Sequence, residues 1–179
     1  MDDDVGGRLR ALRLDRGCSL SELARRSGIG KGTISELENN RRGARLDTLF
    51  ALTSALEAPL GAVLPDRAVN SASLHGDSVD ATLVDRFELA QCLVEVYRAS
   101  ISETVQHSDP HANGVEETVT VVEGRVVVGN GSQELTAGES HRYRGDEPHL
   151  FRSVGGSATA LILMHYPRPH CTGSREASQ

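Results

Sequence analysis

Apolar residues recur at helical spacing in the first third of the chain and at strand spacing in its second half. Val5, Leu9 and Leu12 stand at i, i+4 and i+7, one stripe of a helix, with Arg8, Arg10 and Arg13 on its other faces. Asp2 to Asp4 precede it, where acidic groups favour the positive end of a helix, and Gly17 ends it. Ser19-Leu20-Ser21-Glu22 has the form of a capping box, which predicts that Ser19 caps a second helix and Glu22 reaches back to the amide of Ser19. This helix runs to about Ser27. Gly28 suits the positive φ of a tight turn, and Gly30 can cap a third helix over residues 31–39. After a basic loop, Arg41-Arg42-Gly43, a fourth amphipathic helix carries Leu46, Leu49, Leu52, Thr53 and Leu56. Leu60, Val63 and Leu64 suggest a short fifth, bracketed by Pro59 and Pro65.

Residues 66–86 are polar, small and without period, and read as a linker. His75 within it is expected to be an exposed linker residue. From Phe87 the pattern becomes that of strands: 92–97, 118–122, 125–128 and 160–164 are apolar or β-branched runs. Glu123-Gly124 and Gly129-Asn130-Gly131 are turn signals between them. Many short strands at close spacing predict a sandwich or closed barrel. The absence of Trp and the presence of only three Phe give it a small aliphatic interior. The organisation expected is a helical domain over 5–65, a linker over 66–86, a β domain over 87–168 and a tail over 169–179.

The net charge of -6 is unevenly placed. Val5 to Ala58 holds ten basic against six acidic side chains, whereas Arg67 to the end holds nine against fifteen. Such asymmetry points to nucleic-acid contact by the N-terminal part alone. No run approaches the roughly 18 apolar residues of a membrane span, and Met1-Asp2-Asp3-Asp4 is unlike a secretory leader, so a cytoplasmic protein is expected. Cys18, Cys92 and Cys171 are odd in number and far apart, which argues against a disulfide frame or a Cys-rich zinc site.

Two helices joined by a short turn need particular residue sizes at particular places. Ala24 is small where the helices come closest, Gly28 permits the turn, and Leu23, Ile29, Ile34 and Leu37 supply the apolar contacts. That leaves Lys31, Gly32, Thr33, Ser35, Glu36 and Asn39 facing outward, a polar and mostly small surface suited to the major groove. Here the chain resembles the lambda-repressor and Cro-like helix-turn-helix regulators, the xenobiotic response element type, over SLSELARRSGIGKGTISELENNRRGARLDTLFALTSALEAPLGAVL. The resemblance implies a five-helix bundle. In it Lys31, Thr33, Ser35, Glu36 and Asn39 face bases or nearby phosphates, and Arg41 and Arg42 meet the DNA backbone. Leu20 stands where that family often has a phosphate-binding glutamine. Glu36 stands where a basic residue is frequent; it can accept a hydrogen bond from a cytosine amine or repel the DNA.

In the second half, His111 is followed by Glu117 and then Gly124, Gly138 is followed by Pro148-His149, and the last strand runs into Tyr166-Pro167. This resembles the cupin barrel, a double-stranded β-helix, found behind helix-turn-helix domains in many bacterial regulators. The resemblance offers His111, Glu117 and His149 as metal ligands, with Asn113 or a water as a fourth, since Asn113 occupies the place of a second histidine. Two histidines and one carboxylate suit zinc, iron, manganese or nickel. The alternative is that the same residues, with Asn113, line a pocket for an organic effector. His107 and His165 are placed nearer that pocket than His141 and His170. Any of Arg125, Arg142, Arg144 and Arg152 facing inward favours an anionic effector.

Together these features predict a non-enzymatic, homodimeric transcriptional regulator, a repressor type among the alternatives, that binds a double-stranded operator. Its cupin domain senses a small molecule or a divalent transition metal. A metal-dependent cupin enzyme with an attached DNA-binding domain, and a cupin that only dimerises, are the other readings.

Overall fold

The computed structural model describes residues 4–64 and 73–168. The N-terminal part holds four α-helices, α1 (Val5–Asp15), α2 (Leu20–Ser27), α3 (Lys31–Glu38) and α4 (Leu46–Ala55). Asp4 caps α1 by accepting from the Gly7 amide at 2.6 Å. Ser19 caps α2 as the sequence implies, accepting from the Glu22 amide at 3.1 Å. The Glu22 carboxylate, however, turns outward to Arg25, at 2.6 Å and 3.0 Å, so only half of the capping box forms. A guanidinium one turn away is a charged, two-pronged partner and outcompetes a single backbone amide. Gly28 closes α2 with φ 72°, the left-handed geometry that a tight turn into α3 demands. The fifth helix is a single 3-10 turn, Leu60–Val63, because Pro59 and the extended Leu64 leave room for no second turn.

The remainder is β-rich and entirely antiparallel: β1 (Ser73–His75), β2 (Val79–Glu88), β3 (Cys92–Ile101), β4 (Gln106–Ser108), β5 (Glu116–Glu123), β6 (Arg125–Gly129), β7 (Gln133–Thr136), β8 (Ser140–Arg144), β9 (His149–Ser153) and β10 (Ala158–Pro167). They form a six-stranded sheet in the order β1-β2-β3-β10-β5-β8 and a four-stranded sheet in the order β4-β9-β6-β7. The span 79–86, expected as linker, is most of β2. Val79, Ala81 and Leu83 alternate inward between polar neighbours, a half-buried strand whose small, mixed composition hid its period. His75 lies on β1, exposed, and pairs with Asp80 at 2.7 Å. The rest of the expected linker, 66–72, and the tail 169–179 lie outside the described residues.

Alternation puts Tyr97, Ala99 and Ile101 of β3, Val119 and Val121 of β5, Val126 and Val128 of β6, Phe151 of β9 and Ala160, Ile162 and Met164 of β10 in one interior between the sheets. This interior is continuous with the helical core. Leu60 of the 3-10 turn is fully buried, and Leu46 and Phe50 of α4 meet the β interior at its open end. Among the described residues no helix is long and apolar enough to cross a membrane.

Polar contacts fix the junction. Glu95 is fully buried, and its carboxylate accepts from the Gly61 amide at 3.0 Å and 3.1 Å and from the Tyr97 hydroxyl at 2.7 Å. The Leu60 amide donates to the Tyr166 hydroxyl at 3.3 Å, and Gln106 donates to Asp47 of α4 at 3.1 Å. Gly61 is required by this approach, since a Cβ there would lie 2.3 Å from Glu95 Oε1.

Candidate functional site

At the end of the β interior nearest the helices, three side chains converge. His111 sits in the loop after β4, tied down by its amide donating to the Gly145 carbonyl at 2.9 Å. Glu117 points inward from β5, opposite Met164 on one side and Tyr143 on the other. His149 opens β9. All three are buried, and one ligand atom from each lies within 4.8 Å of the others. His111 Nε2 stands 2.7 Å from Glu117 Oε1, and His149 Nε2 faces the same oxygen at 3.2 Å with no hydrogen bond between them.

The surrounding groups orient these atoms as a metal site requires. His149 Nδ1 donates to the Glu147 carbonyl at 2.8 Å, which leaves Nε2 as the nitrogen with the free lone pair. Tyr143 donates to Glu117 Oε2 at 2.7 Å and so reserves Oε1 for the space between the histidines. Burial opposes a charge on Glu117, yet the two imidazoles outweigh it and hold its carboxyl far below the usual carboxylate range. Burial likewise pulls His149 down, but the neighbouring carboxylate raises it on balance. Burial and the Glu117 charge push the Tyr143 hydroxyl well above its ordinary value, so it remains a donor.

Metal–nitrogen and metal–oxygen bonds of about 2.1 Å bring ligand atoms to roughly 3.0–3.4 Å of one another at right-angled to tetrahedral geometry. The observed 2.7 Å and 3.2 Å need only a small opening at His111. An orphaned buried imidazole nitrogen beside a buried carboxylate fits a divalent transition metal, which would take the place of the hydrogen bond between His111 and Glu117.

The cavity around the three residues is walled by Leu46, Phe50, Leu60, Phe151, Ile162 and Met164, with Gln106 and Ser108 as polar neighbours. It offers about 30 Å³ to the centre of a water molecule, enough for an ion and a water or two and too small for a metabolite. Among the described residues, no arginine lines it. Arg125, Arg142 and Arg144 are exposed and pair with Glu134, Glu116 and Asp146, and Arg152 is half-buried elsewhere, so none of the four gives an anionic effector a partner in this cavity. Asn113 does not join the site. The chain turns at 112–115, where the Val115 amide donates to the Ala112 carbonyl at 3.1 Å and Gly114 has φ 78°, and this carries Asn113 to the outer surface. His165 also points away, to Thr118 at 3.3 Å, and His107 is exposed in an outer cleft; both stand outside the pocket toward which they were expected to lie. Cys18 and Cys92 are not among these ligands, and Cys171 and His170 lie outside the described residues.

Sequence reasoning missed Tyr143 and Phe50. Tyr143 was detectable only through its register opposite Glu117. Phe50 carried no signal, since a single aromatic on an amphipathic helix reads as ordinary core; its ring lies 4.4 Å from that of His111.

The second surface is α3. Ile34, Leu37 and Glu38 face inward, leaving Lys31, Glu36, Asn39, Arg41 and Arg42 exposed and Thr33 and Ser35 half-buried. Glu36 lies 4.0 Å from Arg42, and the Asn39 amide donates to the Ser35 carbonyl at 2.7 Å. Beneath, Glu38 receives both prongs of Arg13, at 2.6 Å and 2.8 Å, in a buried pair that fastens α3 to α1.

Residues 9–62 match the family model described as helix-turn-helix, HTH_3. The HTH-type transcriptional regulator SutR of Escherichia coli (strain K12) is 29% identical over 167 residues, 89% of this chain and 93% of that protein. A solved HTH_3 family transcriptional regulator from Vibrio cholerae superposes with a TM-score of 0.82 at 27% identity, covering 93% of this chain and 97% of that one. The cupin domain of an XRE family transcriptional regulator from Enterobacter cloacae is 29% identical over 42% of this chain and 83% of its own, with a TM-score of 0.40. Residues 9–62 form a helix-turn-helix domain, and over nearly its whole length the chain is similar to HTH-type transcriptional regulators.

Proposed function

We propose that this regulator binds a two-half-site operator as a homodimer and that its β domain, a cupin barrel over 79–168, senses a divalent transition metal held by His111, Glu117 and His149. The observation that carries the sensing reading is the convergence of His111 Nε2, Glu117 Oε1 and His149 Nε2 directly beneath α4 of the DNA-binding part. A metal held there would supply a fixed positive charge. The chain's own residues do the rest: Tyr143 and the Glu147 carbonyl set the ligand orientation, and the apolar walls keep bulk water out.

On the DNA side, Lys31, Thr33, Ser35, Glu36 and Asn39 present a low surface that α3 can lay against base edges, with Arg41 and Arg42 on phosphates. The Arg42 guanidinium near Glu36 moderates the charge of that carboxylate. One reading helix contacts too few bases for a long unique site, hence the dimer. The interior accommodates an ion more readily than an organic effector, and relatives that are transcriptional regulators favour sensing over catalysis. The test is elemental analysis of purified protein before and after chelation, with operator binding followed in the same samples. Stoichiometric metal whose removal changes DNA affinity, and loss of both metal and response in His149→Ala, supports the reading. Metal-free protein with an intact ligand response refutes it.

A further inference from the structure

Two cavities meet at the ring of Phe50. The inner one holds the three ligands. The outer one, about 50 Å³ to the centre of a water molecule, is lined by Asp47 and Ala51 of α4 and by His107, Ser108, Asp109 and Pro110 of the loop after β4. Phe50, Ser108 and His111 line both. The Phe50 and His111 rings lie 4.4 Å apart at 30°, so this near-parallel pair is the partition between the cleft and the buried site.

The cleft has the chemistry of an approach path for a cation. Asp47 and Asp109 face it with His107, and among the described residues no lysine or arginine lines it. The Asp109 and His107 side chains are on the exposed side and Asp47 is half-buried, so negative charge extends from solvent to the partition. Apart from Tyr97, Gln106 and Ser108, which lines both cavities, the rest of the inner cavity is walled by apolar side chains from both sheets, α4 and the 3-10 turn, which offer an ion a poor route.

We propose that Phe50 is a gate between this acidic cleft and the metal site, so that ions enter and leave only when α4 shifts on the β domain. The inference rests on the metal reading above. It adds a route to the site and a cause for its coupling to DNA: α4 packs on α2, and α2 packs on the reading helix α3, so a displacement that clears Phe50 is transmitted to the DNA-binding surface. His111 completes the partition and is also a ligand. An ion that pulls its Nε2 off Glu117 therefore moves the ring against which Phe50 rests.

The experiment uses the full-length protein and Co(II), whose visible absorption reports its ligand set. Stopped-flow traces give the rate of Co(II) uptake and of its release to EDTA, and operator affinity is measured with and without Co(II). In Phe50→Ala, release is expected to quicken by about tenfold, the effect of removing one stacked ring from a closed state, while one Co(II) per chain and its spectrum are kept. The Co(II)-dependent change in operator affinity should shrink. Asp109→Asn should slow uptake at low salt and leave release unchanged, since it acts on approach alone. Should Phe50→Ala fold poorly, Phe50→Leu retains an apolar side chain without the stacked ring and should show a smaller acceleration in the same direction. Wild-type exchange rates in both Phe50 variants would overturn the gate and leave the metal site standing. Wild-type protein that takes up no Co(II) would overturn the metal reading and the gate with it.

Discussion

Replacing Gly61 by alanine sets two effects against each other, and the structure decides the sign. Gly61 has no positive φ, so alanine fits its backbone and would ordinarily stabilise by about 0.4–1 kcal/mol through the unfolded chain. Its Cβ would, however, lie 2.3 Å from Glu95 Oε1 and 3.0 Å from the carboxyl carbon, and Glu95 is fully buried. The carboxylate must move off the Gly61 amide, losing a charged hydrogen bond of roughly 1.5–3 kcal/mol and keeping its desolvation. The net is a destabilisation of about 2 kcal/mol. With a urea dependence of roughly 2 kcal/mol per molar, the midpoint should fall by about 1 M. The assay is urea unfolding followed by circular dichroism, run also in the Glu95→Ala background, where the clash is gone and Gly61→Ala should cost far less. An unchanged or raised midpoint in the single variant, or equal costs in the two backgrounds, would refute the view that this carboxylate clamps the helical part to the β part.

Arg13→Ala should cost roughly 3–5 kcal/mol, because it strands the buried Glu38 charge, whereas Arg13→Met with Glu38→Leu should recover most of it; thermal denaturation of the three proteins checks this. Tyr143→Phe keeps the ring against His149 and removes only the proton given to Glu117 Oε2, so metal affinity in competition titrations should drop about 10–100-fold without loss of fold. Thr33→Ala or Asn39→Ala should weaken operator binding by about 1–3 kcal/mol while sparing random DNA, and Arg41→Ala should weaken both alike; equal losses throughout would remove α3 from the reading role. Burial raises the Glu95 carboxyl above its ordinary value, so the folded state holds that proton more tightly than the unfolded one. Its contribution to stability is full below the ordinary carboxylate range and is lost as pH rises through the raised value. Chemical denaturation across that window should show the decline in wild type and not in Glu95→Gln.

Where position along one element settles a residue's role, the sequence was informative. The helix starts, the Gly28 turn and the inward and outward faces of α3 follow from spacing and from local backbone chemistry, and the structure repeats them. His111, Glu117 and His149 came through family resemblance and meet in space although 38 residues separate the first from the last. What escaped depends on partners supplied by other elements. Asn113 was placed by homologous position, but one turn at Gly114 sends it outward. Glu95 stands inside the strand run 92–97 and had no role assigned from sequence; the Gly61 amide arriving from the helical part and the Tyr97 hydroxyl make its burial tolerable. β2 was read as linker because alanine, threonine and aspartate between its few aliphatics blur a period of two. Phe50 and Tyr143 gain their meaning from a loop and a strand distant in the chain.

If the β domain senses as proposed, the junction is the route by which the buried site would be felt at the DNA. Apolar contact alone, Leu46, Phe50 and Leu60 on the β interior, is non-directional and would tolerate several orientations of α4. The carboxylate of Glu95 on Gly61, the hydroxyl of Tyr166 on Leu60 and the amide of Gln106 on Asp47 are directional, and each is satisfied in one register only. A shift of α4 must therefore break specific bonds together and is closer to a two-state change than to a continuous drift. On the proposed roles, α4 borders the metal ligands and reaches the DNA-reading helix α3 through α2, so a preference of the metal for one arrangement would become a preference of the DNA for the same one. By linkage, the factor by which the metal changes operator affinity must equal the factor by which operator changes metal affinity. Metal titrations with and without operator measure the second factor independently of the first, and unequal factors at equilibrium would rule out a shared α4 equilibrium as the connection.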